Sequence, residues 1–458
     1  MNQYCRLRIV KSDYDVLIKH LFPGDEDEHG AVLLAGYSHA DNRLYLHVRE
    51  VHLAREGIDY VKGKIGHRAL NPQFIHQMIA RARDQNMAYL AVHNHGSDQH
   101  VSFSKIDFDS HERGYPALLQ ISRGNPVGAL VLGHRAMQAD VWLSNGHRLD
   151  LDQAEVIGTT ITRLTPQPLS RATAIDDQFD RQIRFFGEDG QTELNRCHVA
   201  IIGLGGIGSL VAEYLSRLGI GKFTLIDSDS LETSNLSRVV GASMEDARVA
   251  RAKVDIAKNN ILMANPQASV AVIQGDVAIE SIAKQIIGCD YLFLAADSMR
   301  ARLVVNAITH QYFVPSVQMG AKVLAGPNGT IADLLSVNRP IRPGQACLWC
   351  NQLIDPHQLA KESKTDEERK AQAYGVQEPN PSVVTLNAIS AAHAVNDFML
   401  DYLGLRPNRD EVAYEHFHHL TGVRKLVQPR QDAECPECSR LGHRFGRGDE
   451  VKLPCIEG

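Results

Sequence analysis

The chain has 458 residues, of which 44% are hydrophobic and 22% are charged, and its formal net charge is −6. This composition excludes a mainly disordered or fibrous protein, and the length predicts two or three domains at roughly 150 residues each. There is no excess of cations for coating a nucleic acid. No uncharged apolar run reaches the roughly 18 residues that cross a bilayer, and the N-terminus has no secretory pattern. We therefore expect a cytoplasmic protein without nucleic-acid or membrane partners.

Residues 1–150 predict a first, small α/β or α+β domain. Its apolar stretches have the length and composition of β-strands. Strands are predicted at Ala31–Ala35, Leu44–Val51, Tyr89–Val92 and Val127–Leu132. Residues 151–175 contain two prolines and little periodic pattern, so we expect a linker there.

A histidine pair follows one of these predicted strands. His93 and His95 are two residues apart, so on an extended strand their side chains point to the same side and can bind one metal ion. Asp107 could complete a set of three ligands. Three protein ligands and a water are typical of a catalytic zinc site. Such a site also needs a general base, and Glu28 precedes the strand at Ala31–Ala35.

The ordered set of Glu28, the two histidines, Ser104 and Asp107 resembles the JAB/MPN (JAMM) metalloproteases over about residues 5–150. The resemblance implies that Glu28 activates a zinc-bound water and that Ser104 helps to stabilise the oxyanion. It also implies cleavage of isopeptide bonds to ubiquitin-like proteins, or trimming of their precursors. Glu26 or Asp27 could replace Glu28 in register, and Asp109 could replace Asp107.

From about residue 176 to 445 the pattern changes to alternating strands and helices. Repeated βα alternation predicts a doubly wound parallel sheet of the Rossmann type. Strands are predicted at His198–Ile202, Phe223–Ile226, Val270–Ile273, Tyr291–Ala295 and Pro315–Met319, with helices at Gly206–Leu218 and Val249–Ala264.

A glycine-rich turn joins the first of these strands to its helix. Glycines let backbone N–H groups approach a phosphate, and the positive end of the helix adds favourable charge. The glycines of this turn are Gly203, Gly205, Gly206 and Gly208. Asp227 ends the next strand, where an acid commonly binds ribose hydroxyls. These features fit NAD and ATP equally well.

The following segment favours ATP. An enzyme that cleaves ATP between the α- and β-phosphates must hold the departing pyrophosphate, and cations with a metal ion do so. Arg238 and Lys253 supply the cations. Asp297, just after a predicted strand, could hold Mg²⁺ beside the phosphates.

Taken together, these motifs resemble the ThiF/MoeB/HesA adenylating family, which includes the ubiquitin-activating enzymes, over roughly residues 178–440. The resemblance implies adenylation of the C-terminal glycine of a ubiquitin-like or sulfur-carrier protein, in a homodimer. It assigns Arg181 to the ATP of the second protomer. The residues that it assigns to MgATP are Asp227, Asp229, Asn235, Arg238, Lys253 and Asp297.

Two C-x-x-C pairs lie further along the chain, and four thiolates suit a closed, structural zinc site. They are Cys347 with Cys350 and Cys435 with Cys438. Many members of the resembled family pass the acyl group to a cysteine between the pairs, but residues 351–434 contain none. The reaction therefore stops at the adenylate, or the acceptor is Cys455 or another protein. We expect residues 446–458 to form a C-terminal tail.

The two resemblances predict a fusion of a zinc peptidase with an adenylating enzyme, using ATP, Mg²⁺ and two zinc ions, one structural and one catalytic. We expect the two parts to act on one ubiquitin-like protein, with a ubiquitin-conjugating-like enzyme as a possible partner. Two alternatives stay open. One is activation of a sulfur carrier for cofactor or metabolite biosynthesis, and the other is a scaffold that binds without catalysis.

Overall fold

The structure is a computed structural model that describes residues 4–61, 68–168, 177–327, 330–362, 381–407 and 412–456. The chain forms two compact units. The first comprises Met1–Ser170, Gln311–Phe313 and Arg440–Lys452, and the second comprises Arg171–His310, Val314–Ser439 and Leu453–Gly458. Within the described residues, no helix combines the length and the apolar character that crossing a membrane requires.

The first unit contains eight strands and three helices among its described residues. The strands are β1 (Tyr4–Val10), β2 (Gly30–Ala40), β3 (Arg43–Leu53), β4 (Ala88–Asn94), β5 (Val127–Leu132), β6 (Met137–Trp142), β7 (Arg148–Ile157) and β8 (Ile161–Leu164). The helices are α1 (Lys11–Leu21), α2 (Pro72–Asp84) and α3 (Lys105–Ile121). The four strands predicted in this region are confirmed.

The sheet of this unit closes on itself. β1 pairs in parallel with both β3 and β7, so strands β1–β7 form a ring, and β8 extends it beside β7. Both faces of β2 are buried, because Leu33 packs in one apolar cluster while Val32 and Leu34 pack in another. Burial on both faces explains why the sequence shows a continuous apolar run rather than a strict alternation.

The structure places the end of this unit differently from the predicted boundary at residue 150. β7 and β8 run through the first part of the predicted linker, which is therefore paired backbone, while residues 169–175 lie outside the described residues. The predicted tail also differs, because its first residues belong to the first unit, where Gly446 and Gly448 are closely packed. A Cβ at Gly448 would lie 2.2 Å from the Tyr37 carbonyl oxygen, and φ is +57° there. Only glycine permits so close an approach in that conformation.

The second unit contains the other eight described strands. They are β9 (His198–Ile202), β10 (Lys222–Ile226), β11 (Ser269–Ile273), β12 (Tyr291–Leu294), β13 (Ser316–Ala325), β14 (Ile331–Ile341), β15 (Tyr414–His418) and β16 (Val423–Val427). The helices are α4 (Asp180–Arg196), α5 (Gly206–Arg217), α6 (Met244–Arg248), α7 (Lys253–Ala264), α8 (Glu280–Ala283), α9 (Met299–Gln311), α10 (Pro356–Glu362) and α11 (Val384–Tyr402).

The strand order of the second sheet is β11-β10-β9-β12-β13-β14-β15-β16. The first five strands are parallel, which confirms the predicted Rossmann-like sheet. β14, β15 and β16 continue it as an antiparallel extension that the sequence reading missed. The predicted helix at Val249–Ala264 begins only at Lys253, because Val249 ends α6 and Ala250 has φ +49°.

Candidate functional site

A cavity of about 600 Å³ lies where the order of the parallel strands reverses, between β9 and β12. Successive crossovers leave this point in opposite directions, so a crevice opens at the carboxyl ends of the strands. Its lining includes the glycine turn after β9 and the residues that follow β10, β11 and β12.

The glycine turn is shaped by close backbone contacts. Gly203 has φ +88°, and a Cβ there would lie 2.6 Å from the Ala296 backbone nitrogen. A Cβ at Gly205 would meet nothing within 4 Å, and Gly205 lines the cavity. Gly208 does not line the cavity; a Cβ there would lie 1.8 Å from the Gly203 carbonyl oxygen. Its predicted role as a nucleotide contact is therefore corrected to close packing of helix against turn.

Asp227 lines the cavity directly after β10 and also holds the turn. Its Oδ2 accepts a hydrogen bond of 2.5 Å from the Leu204 N–H, and its Oδ1 accepts one of 2.8 Å from the Asp229 N–H. Burial raises the pKa of this carboxyl group, although the two backbone hydrogen bonds oppose the shift. The carboxylate thus reaches the cavity already fixed in orientation.

Two cations line the same cavity. Lys253 begins α7 with a side chain that is only 10% exposed, and its Nζ donates to Asp229 Oδ2 at 2.7 Å. Arg238 is oriented by its own chain, because its Nη1 donates to the Ser234 carbonyl oxygen at 3.0 Å. The structure therefore brings the two predicted phosphate-binding cations together with Asp227 and Asp229.

Besides Gly208, two other predicted residues are not part of this lining. Asn235 is buried, and its Oδ1 accepts a hydrogen bond from the Glu232 N–H, so it caps a short helical turn instead of facing the cavity. Arg181 is exposed on α4. Its neighbour Gln182 donates to Gln191 and to the Leu218 carbonyl oxygen, which ties α4 to the end of α5.

Asp297 lines the cavity after β12, as predicted, and several lining residues were missed. The missed residues with polar side chains are Ser228, Asp276, Ser298, Arg302, Ser382 and Asn387. Burial lowers the pKa of Arg302, and the charge of Asp297 opposes that shift. Asp276 comes shortly after β11, much as Asp227 comes directly after β10. Its position near the end of a parallel strand could therefore have identified it as a lining residue from the sequence.

The four cysteines converge in the second unit. All four sulfur atoms lie within 4.8 Å of one another, with separations of 3.6 Å for Cys347–Cys350, 3.8 Å for Cys347–Cys435 and 3.6 Å for Cys350–Cys438. Four Zn–S bonds of ~2.3 Å in a tetrahedron hold sulfurs ~3.8 Å apart. The donor set and its spacing therefore fit one zinc ion with no open position.

Comparison with known proteins decides the family. The sequence pattern of the ThiF family matches residues 179–437, which is more than half of the chain. The chain belongs to the ThiF family. The matched range contains the whole lining of the cavity. It also contains Cys347, Cys350 and Cys435, and it ends one residue before Cys438.

Curated relatives match shorter stretches of the chain, of 144 to 205 residues. Over 144 residues the chain is 31% identical to a tRNA threonylcarbamoyladenosine dehydratase of Escherichia coli (strain K12), covering 31% of this chain and 53% of that protein. It is 30% identical to a molybdopterin-synthase adenylyltransferase of Salmonella typhimurium, covering 32% and 60%. It is 28% identical to the sulfur carrier protein ThiS adenylyltransferase of Escherichia coli, covering 44% and 74%. The chain thus spans about half the length of the first of these relatives.

Among solved structures, one similar chain is Escherichia coli MccB in complex with MccA-N7isoASN. The sequences are 19% identical, the TM-score is 0.47, and the match covers 58% of this chain and 76% of that chain.

The histidine cluster lies in the first unit, outside the ThiF segment. His93 is the second-last residue of β4, and His95 follows the strand directly. The centroids of the two rings are 4.9 Å apart. Asp107 Oδ1 lies 3.6 Å from His93 Nε2, and Asp107 Oδ2 lies 3.8 Å from His95 Nε2. The buried His93 Nε2 makes no hydrogen bond within the described part of the chain. Two imidazoles, one of which has a ring nitrogen without a hydrogen bond, and one carboxylate fit a zinc ion with an open position.

Helix capping presents the aspartate to the histidines. Ser104 is the N-cap of α3, and its Oγ donates to Asp107 Oδ2 at 2.7 Å while accepting from the Asp107 N–H. Burial by itself raises the pKa of Asp107, but the nearby His93 side chain and the hydrogen bond from Ser104 outweigh it and lower that pKa. Burial and the neighbouring His93 lower the pKa of His95. The cluster therefore favours an ionised carboxylate beside a neutral imidazole, which are the states that ligate metals.

Glu28 is the acid that the structure brings to this cluster, with its Oε1 3.9 Å from His95 Nε2. Strand pairing sets that position, because Gly30 on β2 lies opposite His93 on β4. The adjacent His29 N–H donates to the Asn94 side chain at 2.6 Å. Of the alternatives, Asp27 pairs with Arg68, and Glu26 and Asp109 are exposed.

Proposed function

We propose that the chain adenylates the C-terminal glycine of a ubiquitin-like or sulfur-carrier protein with ATP. The observation that carries this proposal is a cavity at the strand-order reversal that gathers three cationic side chains and four carboxylates around a glycine turn. Two of the relatives carry names that support this choice, a molybdopterin-synthase adenylyltransferase and a ThiS adenylyltransferase. The proposed setting is cytoplasmic and homodimeric, with Arg181 reaching the ATP of the second protomer.

In the proposed reaction, an oxygen of the partner's terminal carboxylate attacks the α-phosphorus of ATP. A bond forms between that oxygen and phosphorus, the bond to the β-phosphate oxygen breaks, and pyrophosphate leaves with the electron pair. Arg238 and Lys253 oppose the charge that develops on the leaving group. Asp227 binds the ribose hydroxyls, and backbone N–H groups of the glycine turn approach the phosphates. Asp297 would hold Mg²⁺, which supplies Lewis-acid stabilisation of phosphate oxygens.

The fate of the adenylate is part of the proposal. Residues 351–434 contain no cysteine, so no cysteine lies between the two C-x-x-C pairs to accept the acyl group. We assign the acceptor to another protein, such as a ubiquitin-conjugating-like enzyme or a sulfur donor, in preference to Cys455. Cys455 precedes Ile456, whose N–H donates to the Ala278 carbonyl oxygen, so the backbone beside it is anchored.

Isotope exchange between ATP and pyrophosphate tests the adenylation. The substrates are small ubiquitin-like proteins ending in glycine, ThiS among them. Asp297→Asn should abolish exchange, and Asp255→Asn, an exposed acid on α7, should leave it unchanged. Exchange that persists in Asp297→Asn would remove that residue from the site. A wild-type chain that exchanges with none of these proteins, but consumes ATP with a tRNA, would reject the proposed substrate class.

For the first unit we propose a zinc-dependent peptidase that trims or deconjugates the same partner. The supporting observation is the convergence of His93, His95 and Asp107 with Glu28 beside them. Bound zinc would lower the pKa of a ligated water. Glu28 would take the proton from that water and deliver it to the leaving amine. Ser104, predicted to stabilise the oxyanion, is engaged with Asp107, so we assign it to positioning that ligand.

The peptidase assignment is tested with a ubiquitin-like precursor that carries extra residues after its glycine. Glu28→Gln should keep zinc and lose cleavage, whereas Glu26→Gln, an exposed neighbour, should cut normally. Adenylation of an already trimmed partner should survive in Glu28→Gln. Normal cleavage by Glu28→Gln would exclude Glu28 as the base.

A further inference from the structure

A third group of metal-binding side chains lies in the second unit, apart from the nucleotide cavity and the four cysteines. His393 and Asp397 are four residues apart on α11, so they lie on the same face one turn apart. Glu415 lies on β15. The ligand atoms of the three side chains lie within 4.8 Å of one another.

The spacing of the ligand atoms in this group fits a metal site. His393 Nδ1 lies 3.1 Å from Glu415 Oε2 and 3.7 Å from Asp397 Oδ2. Yet His393 Nδ1 and Glu415 Oε2 are buried atoms without a hydrogen bond to any described residue. Ligands bound to one zinc ion at ~2.0–2.2 Å in a tetrahedron lie ~3.4 Å apart, and the two measured distances bracket that value.

Each of the two carboxylates also accepts a hydrogen bond from an arginine. Arg424 donates to Glu415 Oε1 at 2.6 Å, and Arg406 donates to Asp397 Oδ1. The outer oxygen of each carboxylate is thus occupied, while the inner oxygens face His393. Ligating carboxylates in metal sites are hydrogen-bonded from outside in this way. The ring of Phe417 packs 4.6 Å from the His393 ring and fixes its orientation.

Burial supports a specific site over a chance surface cluster. Glu415 is only 5% exposed, and its unpartnered oxygen points into the group. An uncompensated buried polar atom is costly, and a metal ion removes that cost. The side chains of His393 and Asp397 are 25% and 17% exposed, which leaves room for a water as the fourth ligand.

We propose that His393, Asp397 and Glu415 bind a divalent transition metal that fastens α11 to β15. One imidazole and two carboxylates suit zinc and its neighbours in the first transition row. Asn387, six residues before His393 on the same helix, lines the nucleotide cavity. The metal therefore stabilises the helix that closes one side of that cavity, without contacting the nucleotide itself.

Anomalous diffraction at the zinc edge tests this on the wild-type full chain, crystallised with zinc as the only added metal. A peak is expected between His393 Nδ1, Asp397 Oδ2 and Glu415 Oε2, at about 2.0–2.2 Å from each. If the cysteine site is occupied in the same crystal and this position is not, the proposal is wrong. His393 then contacts the two carboxylates without a metal ion between them.

A measurement in solution distinguishes a metal site that is occupied in the dissolved protein from an ion that binds only in the crystal. After removal of loose metal by desalting, His393→Ala and Glu415→Gln should each contain about one zinc fewer per chain than wild type. The double variant should lose no more than either single variant, because both changes empty one site. His357→Ala, which removes an exposed histidine on α10, should keep the wild-type content. Unchanged zinc in folded Glu415→Gln would overturn the proposal, and if His393→Ala fails to fold, Glu415→Gln and the diffraction result decide it.

Discussion

Lys253 Nζ donates a hydrogen bond of 2.7 Å to Asp229 Oδ2, and the two residues are also joined through their backbones, because the Lys253 N–H donates to the Asp229 carbonyl oxygen at 3.0 Å. The start of α7 is thereby fastened to the loop that follows β10. The side-chain nitrogen of Lys253 is therefore oriented at the cavity wall before any nucleotide arrives.

Replacing this lysine should weaken nucleotide binding. Lys253→Met loses a charge-assisted contact worth about 1.5–3 kcal/mol, which corresponds to a roughly 10- to 100-fold lower affinity for ATP. Lys258→Met on the same helix, outside the cavity lining, is the matched control. Titration calorimetry with ATP measures both. Equal affinities in the two variants would exclude Lys253 from phosphate binding.

Two glycines of the same turn should respond in opposite ways to alanine. A Cβ at Gly208 meets the Gly203 carbonyl oxygen, so Gly208→Ala should lose stability towards the upper end of the roughly 1–3 kcal/mol that overpacking costs. A Cβ at Gly205 meets open space in the cavity, so Gly205→Ala should fold but bind ATP more weakly. Urea unfolding and ATP titration of both variants distinguish the two effects. Strong ATP binding by Gly205→Ala would contradict the close approach of phosphate to this turn.

Removing one cysteine ligand should unfold part of the second unit. Structural zinc contributes roughly 10–16 kcal/mol in small zinc domains, so Cys438→Ser should lose about one zinc and much thermal stability. Cys289→Ser, which changes a buried cysteine outside the cluster, should retain its zinc content. Elemental analysis and calorimetric melting check the pair. Wild-type zinc content in Cys438→Ser would show that the cysteines hold no metal.

The cap of α3 should matter for metal binding as well as for stability. Ser104→Ala removes an N-cap, at a cost of about 1 kcal/mol, and also the hydrogen bond to Asp107. Loss of such a supporting bond typically lowers metal affinity by about 10- to 100-fold. Ser243→Ala removes the same capping box from α6, away from the histidines, so it should leave zinc affinity unchanged. If both variants lose zinc equally, the Ser104–Asp107 contact is not specific to the metal.

A pH-dependent contribution to stability is expected from Glu50. Burial alone would raise its pKa, but hydrogen bonds from His52 and Arg81 prevail and lower it to about 2. A carboxylate with a depressed pKa stabilises the fold above its unfolded value and loses that contribution as pH falls towards the folded pKa. Wild type should therefore exceed Glu50→Gln in unfolding free energy above about pH 5, and the difference should shrink as pH falls towards 2. A difference that is constant with pH would show that the charge contributes nothing.

The sequence was sufficient for the parallel sheet and for much of the lining of the cavity at the strand-order reversal. Glycine spacing and acids at strand ends are local signals, and parallel strands bring their carboxyl ends to one edge. Asn235 and Gly208 show the limit of such reasoning. Both lie in the matching segment. However, Asn235 caps a short helical turn through its hydrogen bond, and Gly208 is required for close packing against Gly203.

The antiparallel strands β14–β16 and the group at His393 were not predictable for a different reason. β16 is exposed along its whole length, so it has no apolar run to mark it as a strand. Glu415 meets His393 only because β15 pairs with β14 and α11 packs on that sheet. Contacts between segments so distant in sequence carry no local pattern.

The first unit is completed by residues from the opposite end of the sequence. Arg440 pairs with Asp13, Phe445 packs on Phe313, and the Gly448 N–H donates to the Gln311 carbonyl oxygen. On a ribosome the ring of strands emerges early, yet its last packing partners are translated after almost everything else. A premature stop after Ser439 would therefore remove Arg440–Lys452 from the histidine-bearing unit and Leu453–Gly458 from the second unit, although all four cysteines would be kept.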